Sequence, residues 1–109
     1  MPKTAVEIEA IARQFGSALD EIFDNVEIRL FGSYYRGSPG KWSDIDLAVV
    51  SEDFININYF TAIKILNKFR LKFSDEIEAI PVTPESLRNP PIGSVEFEIS
   101  RASRILFPF

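Results

Sequence analysis

The chain has 109 residues, a net charge of −4, and neither cysteine nor histidine. A disulfide, a thiolate nucleophile and an imidazole ligand or base are therefore excluded, which leaves carboxylates, hydroxyls, lysine, arginine or an oxygen-bound metal for any catalysis. Its length and its 46% of apolar residues predict one globular domain spanning residues 1–109.

The apolar residues predict helices and strands that alternate along the chain. Thr4 and Glu7 form a capping box before the first helical repeat, and Asn56 or Asn58 caps a second long helix. In chain order the predicted elements are a helix Ala5–Leu19, a strand Val26–Phe31, a turn-rich loop Ser38–Ser43, a strand Asp44–Val50, a helix with the apolar stripe Tyr59, Ile63, Leu66, Phe69 and Phe73, a strand Glu76–Val82, a short helix from Thr83-Pro84-Glu85, a helix Ser94–Ser103 and an edge strand Arg104–Phe107. This order predicts an α/β (α+β) fold with a sheet of about four strands.

Two aspartates stand two residues apart at the start of the second strand. Strand alternation places Asp44 and Asp46 on one face, with their Cα atoms roughly 6.6 Å apart, while Ile45 and Leu47 face the core. Like charges this close destabilise a protein unless a cation lies between them. Oxygen ligands suit Mg²⁺ or Mn²⁺, and two such ions serve in-line phosphoryl transfer.

A Gly-Ser pair ends the first strand and offers groups for a phosphate. Gly32 lets backbone N–H groups approach closely, and Ser33 adds a hydroxyl. Arg36 is placed either to reach a phosphate or to brace the acidic residues. Glu78, between Ile77 and Ala79 on the third strand, offers a third carboxylate, because a buried charge there has no structural explanation.

Each of these residues also has a simpler interpretation. Asp44 is consistent with a turn cap, Ser33 with a helix cap and Glu78 with a solvated edge-strand residue. Lys41 and Trp42 either bracket a nucleobase or belong to a surface loop that holds down one aromatic side chain.

The spacing Gly32-Ser33, ten residues, then Asp44-x-Asp46 resembles the signature of the DNA polymerase β-like nucleotidyltransferase superfamily. The stretch GSYYRGSPGKWSDIDLAVV is most similar to its stand-alone minimal nucleotidyltransferases. The stretch EIEAIPVTPESL resembles the family's third-acid strand and the short helix after it, so the resemblance covers most of the chain. It implies a single-domain nucleotidyltransferase fold, with helices packed on a mixed sheet.

The resemblance implies a metal-dependent transfer of a nucleoside monophosphate, most simply AMP from ATP, to a hydroxyl group with release of pyrophosphate. The implied cofactor is a pair of Mg²⁺ ions, with Mn²⁺ as a substitute. The family's third acid is usually aspartate, and glutamate at this position reaches one methylene further. The implied catalytic and metal-binding residues are Asp44, Asp46 and Glu78, and the implied nucleotide-binding residues are Gly32, Ser33, Arg36 and Ser43.

At 109 residues, the chain is not expected to contain the acceptor-binding helical domain of larger superfamily members. Minimal members are paired with small helical HEPN toxins, so the resemblance implies an antitoxin that adenylylates a tyrosine of a HEPN-type partner. A non-catalytic partner-binding module and transfer to a small molecule such as an aminoglycoside remain alternatives. We also expect a cytoplasmic location without membrane contact, and no direct nucleic-acid binding, since the net charge is negative.

Overall fold

In a computed structural model, which describes residues 2–108, helices and strands alternate along the chain. The sequence predicted the order of the strands and helices, but it did not predict the 3₁₀ turn that follows the second strand. Their bounds are α1 Ala5–Asp20, β1 Glu27–Phe31, α2 Gly32–Arg36, β2 Ile45–Val50, a 3₁₀ turn Glu52–Ile55, α3 Tyr59–Arg70, β3 Ile77–Val82, α4 Pro84–Arg88, α5 Val95–Arg101 and β4 Arg104–Phe107.

The four strands form one mixed sheet in the order β3-β2-β1-β4. Strand β1 is antiparallel to both β2 and β4, whereas β2 and β3 run parallel. The helix α3 lies in the connection between β2 and β3, as a parallel pair requires. The predicted fold class, with about four strands and helices packed on the sheet, is confirmed.

Helix α1 begins at the predicted capping box. The Glu7 N–H donates to Thr4 Oγ1 at 3.2 Å, and the Thr4 N–H donates to Glu7 Oε1 at 2.9 Å. One apolar face of the helix is buried: Ile8, Ala12, Phe15 and Leu19. Burying such a stripe provides most of the stability of a helix of this length.

Helices cover both faces of the sheet. On one face, α1 and α3 pack on the side chains of Ile45, Leu47 and Val49 in one large core cluster. On the other face, Ile99 of α5 joins a smaller cluster with Ala48 and other residues of β1, β2 and β3. Strand β2 is therefore buried on both sides, as its continuous apolar end predicted.

Several predicted boundaries and one predicted face are corrected. Asn58, and not Asn56, caps α3 by accepting from the N–H groups of Phe60 and Thr61. Tyr59 was predicted in the buried stripe, but its side chain is 56% exposed, and the buried positions of α3 are Ala62 and Leu66. Helical rotation explains the difference, because the buried face is centred on Ala62 and Leu66, and Tyr59 at the first position of the helix lies off that face.

Neither Asp44 nor Glu76 belongs to a strand, since β2 and β3 each begin one residue later than predicted. The last helix is also shorter than predicted, because Ser94 caps it from outside and it ends at Arg101. Within residues 2–108, no helix combines the length and the apolar character that crossing a membrane requires.

Candidate active site

Asp46 lies at the point where three strands meet on the α5 side of the sheet. In the strand register its neighbours are Phe31 on β1 and Glu78 on β3. Ile45 and Leu47, on either side of Asp46, are fully buried in the large core cluster. The predicted alternation is therefore confirmed, and it turns the Asp46 carboxylate away from that core.

Gly32 makes the turn from β1 into α2 directly against this carboxylate. Its φ angle is +74°, and a Cβ atom built on it would lie 2.1 Å from Asp46 Oδ2. A side chain at this position is therefore excluded unless the carboxylate moves. The sequence predicted close approach at Gly32 by a phosphate, and the structure shows close approach by the carboxylate of Asp46.

The environment of Asp46 disfavours its charged form. Burial is the main cause, and the neighbouring charges of Glu78, Asp44 and Glu98 add to it, while Arg36 partly offsets them. Together they raise the pKa of Asp46 from its ordinary value of 3.8 to about 6. A carboxylate that is half-neutral near pH 6 and surrounded by other acids is typical of a functional site.

A hollow of about 450 Å³ lies over Asp46 and brings together residues from five elements. We call it the Asp46 hollow. Across it, Arg36 Nη1 on α2 and Glu98 Oε2 on α5 form an ion pair at 3.6 Å. The lining residues are Phe31, Gly32, Arg36, Asp46, Glu78, Ile80, Val95 and Glu98.

The sequence interpretation missed Glu98. An acid near the start of a helix has an ordinary explanation in the helix dipole, so the residue type carried no signal. Only the packing of α5 over β2 and β3 places this carboxylate beside Asp46. The predicted helix at Ser94–Ser103 was the available clue, but the face that it presents to the sheet was not predicted.

Asp44 lies outside the Asp46 hollow. It is exposed, immediately before β2, and lines a second hollow with Glu78, Asn67 and Arg70. We call this the Arg70 hollow. The Arg70 guanidinium is held in place, since Nε donates to Asn67 Oδ1 at 3.0 Å and Nη1 donates to the Asp75 carbonyl at 3.1 Å. Arg70 is a second residue that the sequence interpretation missed.

Glu78 connects the two hollows because it lines both of them. The expectation of a buried charge at this position is wrong: Glu78 is exposed, because β3 is an edge strand. Within the described residues, no group of three or more acidic side chains is arranged as a metal site. The three predicted acids therefore lie close in the fold without lining one common hollow.

The two predicted serines lie outside the Asp46 hollow. Ser33 is partly buried on α2, and no side chain caps that helix. Ser43 Oγ accepts from the Gly40 N–H at 2.8 Å and closes the loop before β2. Its hydroxyl therefore has a structural role in addition to any role in binding.

The chemistry of the donor set fits a divalent cation. Asp46 and Glu78 are directly opposite in the parallel ladder, and each raises the energy of a negative charge on the other. Mg²⁺ and Mn²⁺ prefer carboxylate oxygens, and a cation would relieve this repulsion. Asp46 and Glu78 are thus the residues that could share such an ion, with Asp44 on the other side of Glu78.

Comparisons with known proteins agree with this fold. A family model described as the nucleotidyltransferase domain matches residues 12–105. A protein of Methanocaldococcus jannaschii named "putative protein adenylyltransferase" is 34% identical over 92 residues, which cover 81% of this chain and 86% of that protein.

Two solved structures resemble the chain in fold. The first is described as a "putative nucleotidyltransferase" from Sulfolobus solfataricus, with a TM-score of 0.66, 19% identity, and coverage of 96% of this chain and 87% of that one. The second is described as a toxin-antitoxin with AMP-PNP, with a TM-score of 0.51, 24% identity, and coverage of 93% and 72%. At these identities the likeness shows the fold alone.

Proposed function

Because this chain belongs to the nucleotidyltransferase domain family and is a nucleotidyltransferase, we propose that it transfers AMP from ATP to a hydroxyl group of a second protein. The name of the M. jannaschii relative supports a protein acceptor and an adenylyl group. The description of the toxin-antitoxin structure with AMP-PNP supports an adenine nucleotide and a toxin partner. We propose further that the acceptor is a tyrosine of a HEPN-type toxin, and that this chain is its antitoxin.

One observation carries the proposal: the Asp46 carboxylate lies on Gly32 and opposite Glu78. This places a carboxylate pair beside a turn at which the backbone carries no side chain. Mg²⁺, when bound, supplies positive charge that stabilises the phosphate oxygens in the transition state. In this proposal Asp46 and Glu78 hold one metal ion, and Asp44 contributes from the other side of Glu78. Gly32, Ser33, Arg36 and Ser43 face the nucleotide.

The proposed reaction is a single displacement at the α-phosphorus of ATP. The acceptor oxygen forms a bond to this phosphorus, and the bond from the α-phosphorus to the bridging oxygen of the β-phosphate breaks. Pyrophosphate leaves with that electron pair. The hydroxyl proton passes to the carboxylate of Glu78, which is the exposed member of the Asp46–Glu78 pair and is open to an incoming protein.

The experiment is a label-transfer assay with α-phosphate-labelled ATP, Mg²⁺ and a HEPN toxin encoded beside this chain. Asp46→Asn removes the central charge, and Glu21→Gln is the matched control, because Glu21 is exposed at the end of α1 and lines neither hollow. We expect label on the toxin with the wild type and with Glu21→Gln, but not with Asp46→Asn. Replacement of the acceptor tyrosine by phenylalanine should also abolish labelling.

Equal labelling by the wild type and Asp46→Asn, or no labelling at all, would contradict the enzymatic proposal. The arrangement of the acids favours one second candidate, a non-catalytic module that neutralises a toxin by binding. In residues 2–108 the three acids do not form a ready metal site. A triple variant, Asp44→Asn, Asp46→Asn and Glu78→Gln, that still neutralises the toxin would support this second candidate.

A further inference from the structure

A third hollow continues the row formed by the Asp46 hollow and the Arg70 hollow. It measures about 360 Å³, which is within the range of small-molecule sites. Asp44 and Asp75 line both this hollow and the Arg70 hollow, so the two adjoin. We call it the Trp42 hollow, and its lining residues are Lys41, Trp42, Ser43, Asp44, Asp75 and Glu76.

The three hollows therefore follow the starts of the parallel strands β2 and β3. One end, the Asp46 hollow, contains Gly32 and Arg36, the groups proposed to face phosphates. The other end contains an aromatic side chain. A nucleoside triphosphate matches this arrangement, because its charged phosphates lie at one end of the molecule and its flat base at the other.

Trp42 is an indole without a structural role in the core. Its side chain is 86% exposed, and its contact is with Lys41, whose Nζ lies 5.2 Å from the ring centroid. An exposed tryptophan offers a large flat surface whose burial by a ligand is favourable. Bases stack on such rings whatever their sequence, because every base has a π-face.

We propose that Trp42 stacks against the nucleobase of the nucleotide substrate, so that the base lies in the Trp42 hollow. This inference rests on the proposed function, because it places the base of the same nucleotide. Lys41 occupies one side of the ring, and the base stacks on the surface that faces the hollow. The loop 38–43 then has a role in binding in addition to joining α2 to β2.

The charges of the Trp42 hollow favour bases that donate hydrogen bonds. Glu76 is ion-paired with Lys3 at 3.6 Å. Among residues 2–108, the Asp75 carboxylate has neither an ion-pair nor a hydrogen-bond partner, and it is exposed. Adenine, guanine and cytosine each carry an exocyclic amino group that can donate to this carboxylate, whereas uracil has only acceptors at those positions.

The test uses the fact that Trp42 is the single tryptophan of the chain. ATP, GTP, CTP, UTP and inorganic tripolyphosphate are each titrated in the presence of Mg²⁺, with calorimetry for affinity and tryptophan fluorescence for stacking. We expect the amino-bearing nucleotides to quench the fluorescence and to bind more tightly than UTP. Tripolyphosphate, which has no base, should bind without quenching.

Trp42→Ala should weaken ATP binding roughly 5- to 100-fold and leave tripolyphosphate binding unchanged. Trp42→Phe keeps an aromatic ring and should retain most of the affinity. Tyr35→Ala is the matched control, because Tyr35 is an exposed aromatic residue on α2 that lies outside the Trp42 hollow. All three substitutions are at exposed side chains, and thermal melting checks that the variants remain folded.

Wild-type affinity for ATP in Trp42→Ala, or equal affinity of the wild type for ATP and tripolyphosphate, would overturn the inference. If label transfer to a protein persists in that case, the proposed function stands and only the base position is wrong. If Trp42 fluorescence responds to a partner protein and not to ATP, the ring is a protein contact and the inference is likewise overturned. If the wild type neither binds nor transfers from any nucleotide, the proposed function fails first.

Discussion

Replacing Gly32 by alanine tests whether the position of the Asp46 carboxylate matters for function. The added Cβ would lie 2.1 Å from Asp46 Oδ2, whereas ordinary contacts of a Cβ begin at about 3.4 Å. The carboxylate must therefore retreat by more than 1 Å. A misplacement of about 1 Å in a catalytic group can reduce a rate roughly 100-fold.

The effect of the same change on stability is modest. The φ angle of Gly32 is +74°, a left-handed conformation that costs an L-residue about 1–2 kcal/mol. The contact with Asp46 adds little, because the end of a side chain can rotate away. Gly37 provides the matched control, since its φ angle is +76° and no atom lies within 4 Å of an added Cβ.

The two variants should therefore lose similar stability and differ in activity. Urea denaturation measures the free energy of unfolding of Gly32→Ala and Gly37→Ala, and label transfer from ATP measures the rate. We expect a loss of about 1–2 kcal/mol in both and a rate loss of roughly 100-fold in Gly32→Ala alone. Equal rates in the two variants would refute the reasoning, because the backbone strain is common to both and the contact with Asp46 is not.

Three further predictions concern the charges around Asp46. Its pKa of about 6 in the folded state lies above the ordinary 3.8, so the folded protein loses stability as the pH rises through this interval. The difference corresponds to about 3 kcal/mol, and to ~1–2 kcal/mol after screening by solvent. Asp46→Asn should therefore stabilise the protein in EDTA at pH 8 but not at pH 4; a gain at neither pH in urea denaturation contradicts this. Millimolar Mg²⁺ with ATP should raise the melting temperature of the wild type, because a ligand that binds the folded protein stabilises it. The rise should be smaller in Asp46→Asn, which has lost a carboxylate of the site. An unchanged melting temperature of the wild type with both ligands would count against the site. Glu98→Gln should lower the pKa of Asp46, and Arg36→Gln should raise it. NMR titration of the Asp46 carboxyl group measures both pKa changes, and changes of the same sign in the two variants would contradict the electrostatic account.

The alternation of residues was enough to predict the environment of Asp46 within its own strand. Ile45 and Leu47 are apolar on both sides of it, and a strand turns successive side chains to opposite faces. The turn at Gly32 was equally predictable, because the apolar run of β1 stops at this glycine. Local patterns of this kind depend on neighbours in the chain, and so the order of the elements was also predicted.

The position of Glu78 relative to Asp46 depends on pairing between distant segments. Asp46 and Glu78 lie opposite each other because of the parallel register of β2 and β3. No local pattern specifies that register. The exposure of Glu78 also depends on distant segments, because the order of the strands in the sheet places β3 at its edge.

The sequence by itself determined the residue types at the site and the turn that brings Gly32 to the end of β1, because both arise from short stretches of chain. Tertiary structure alone decided that Glu98 and Arg36 meet over Asp46 and that Asp44 faces a different hollow. The physical reason is that burial and Coulomb interactions act through space. The elevated pKa of Asp46 therefore belongs to the assembled sheet and helices, and to no single segment.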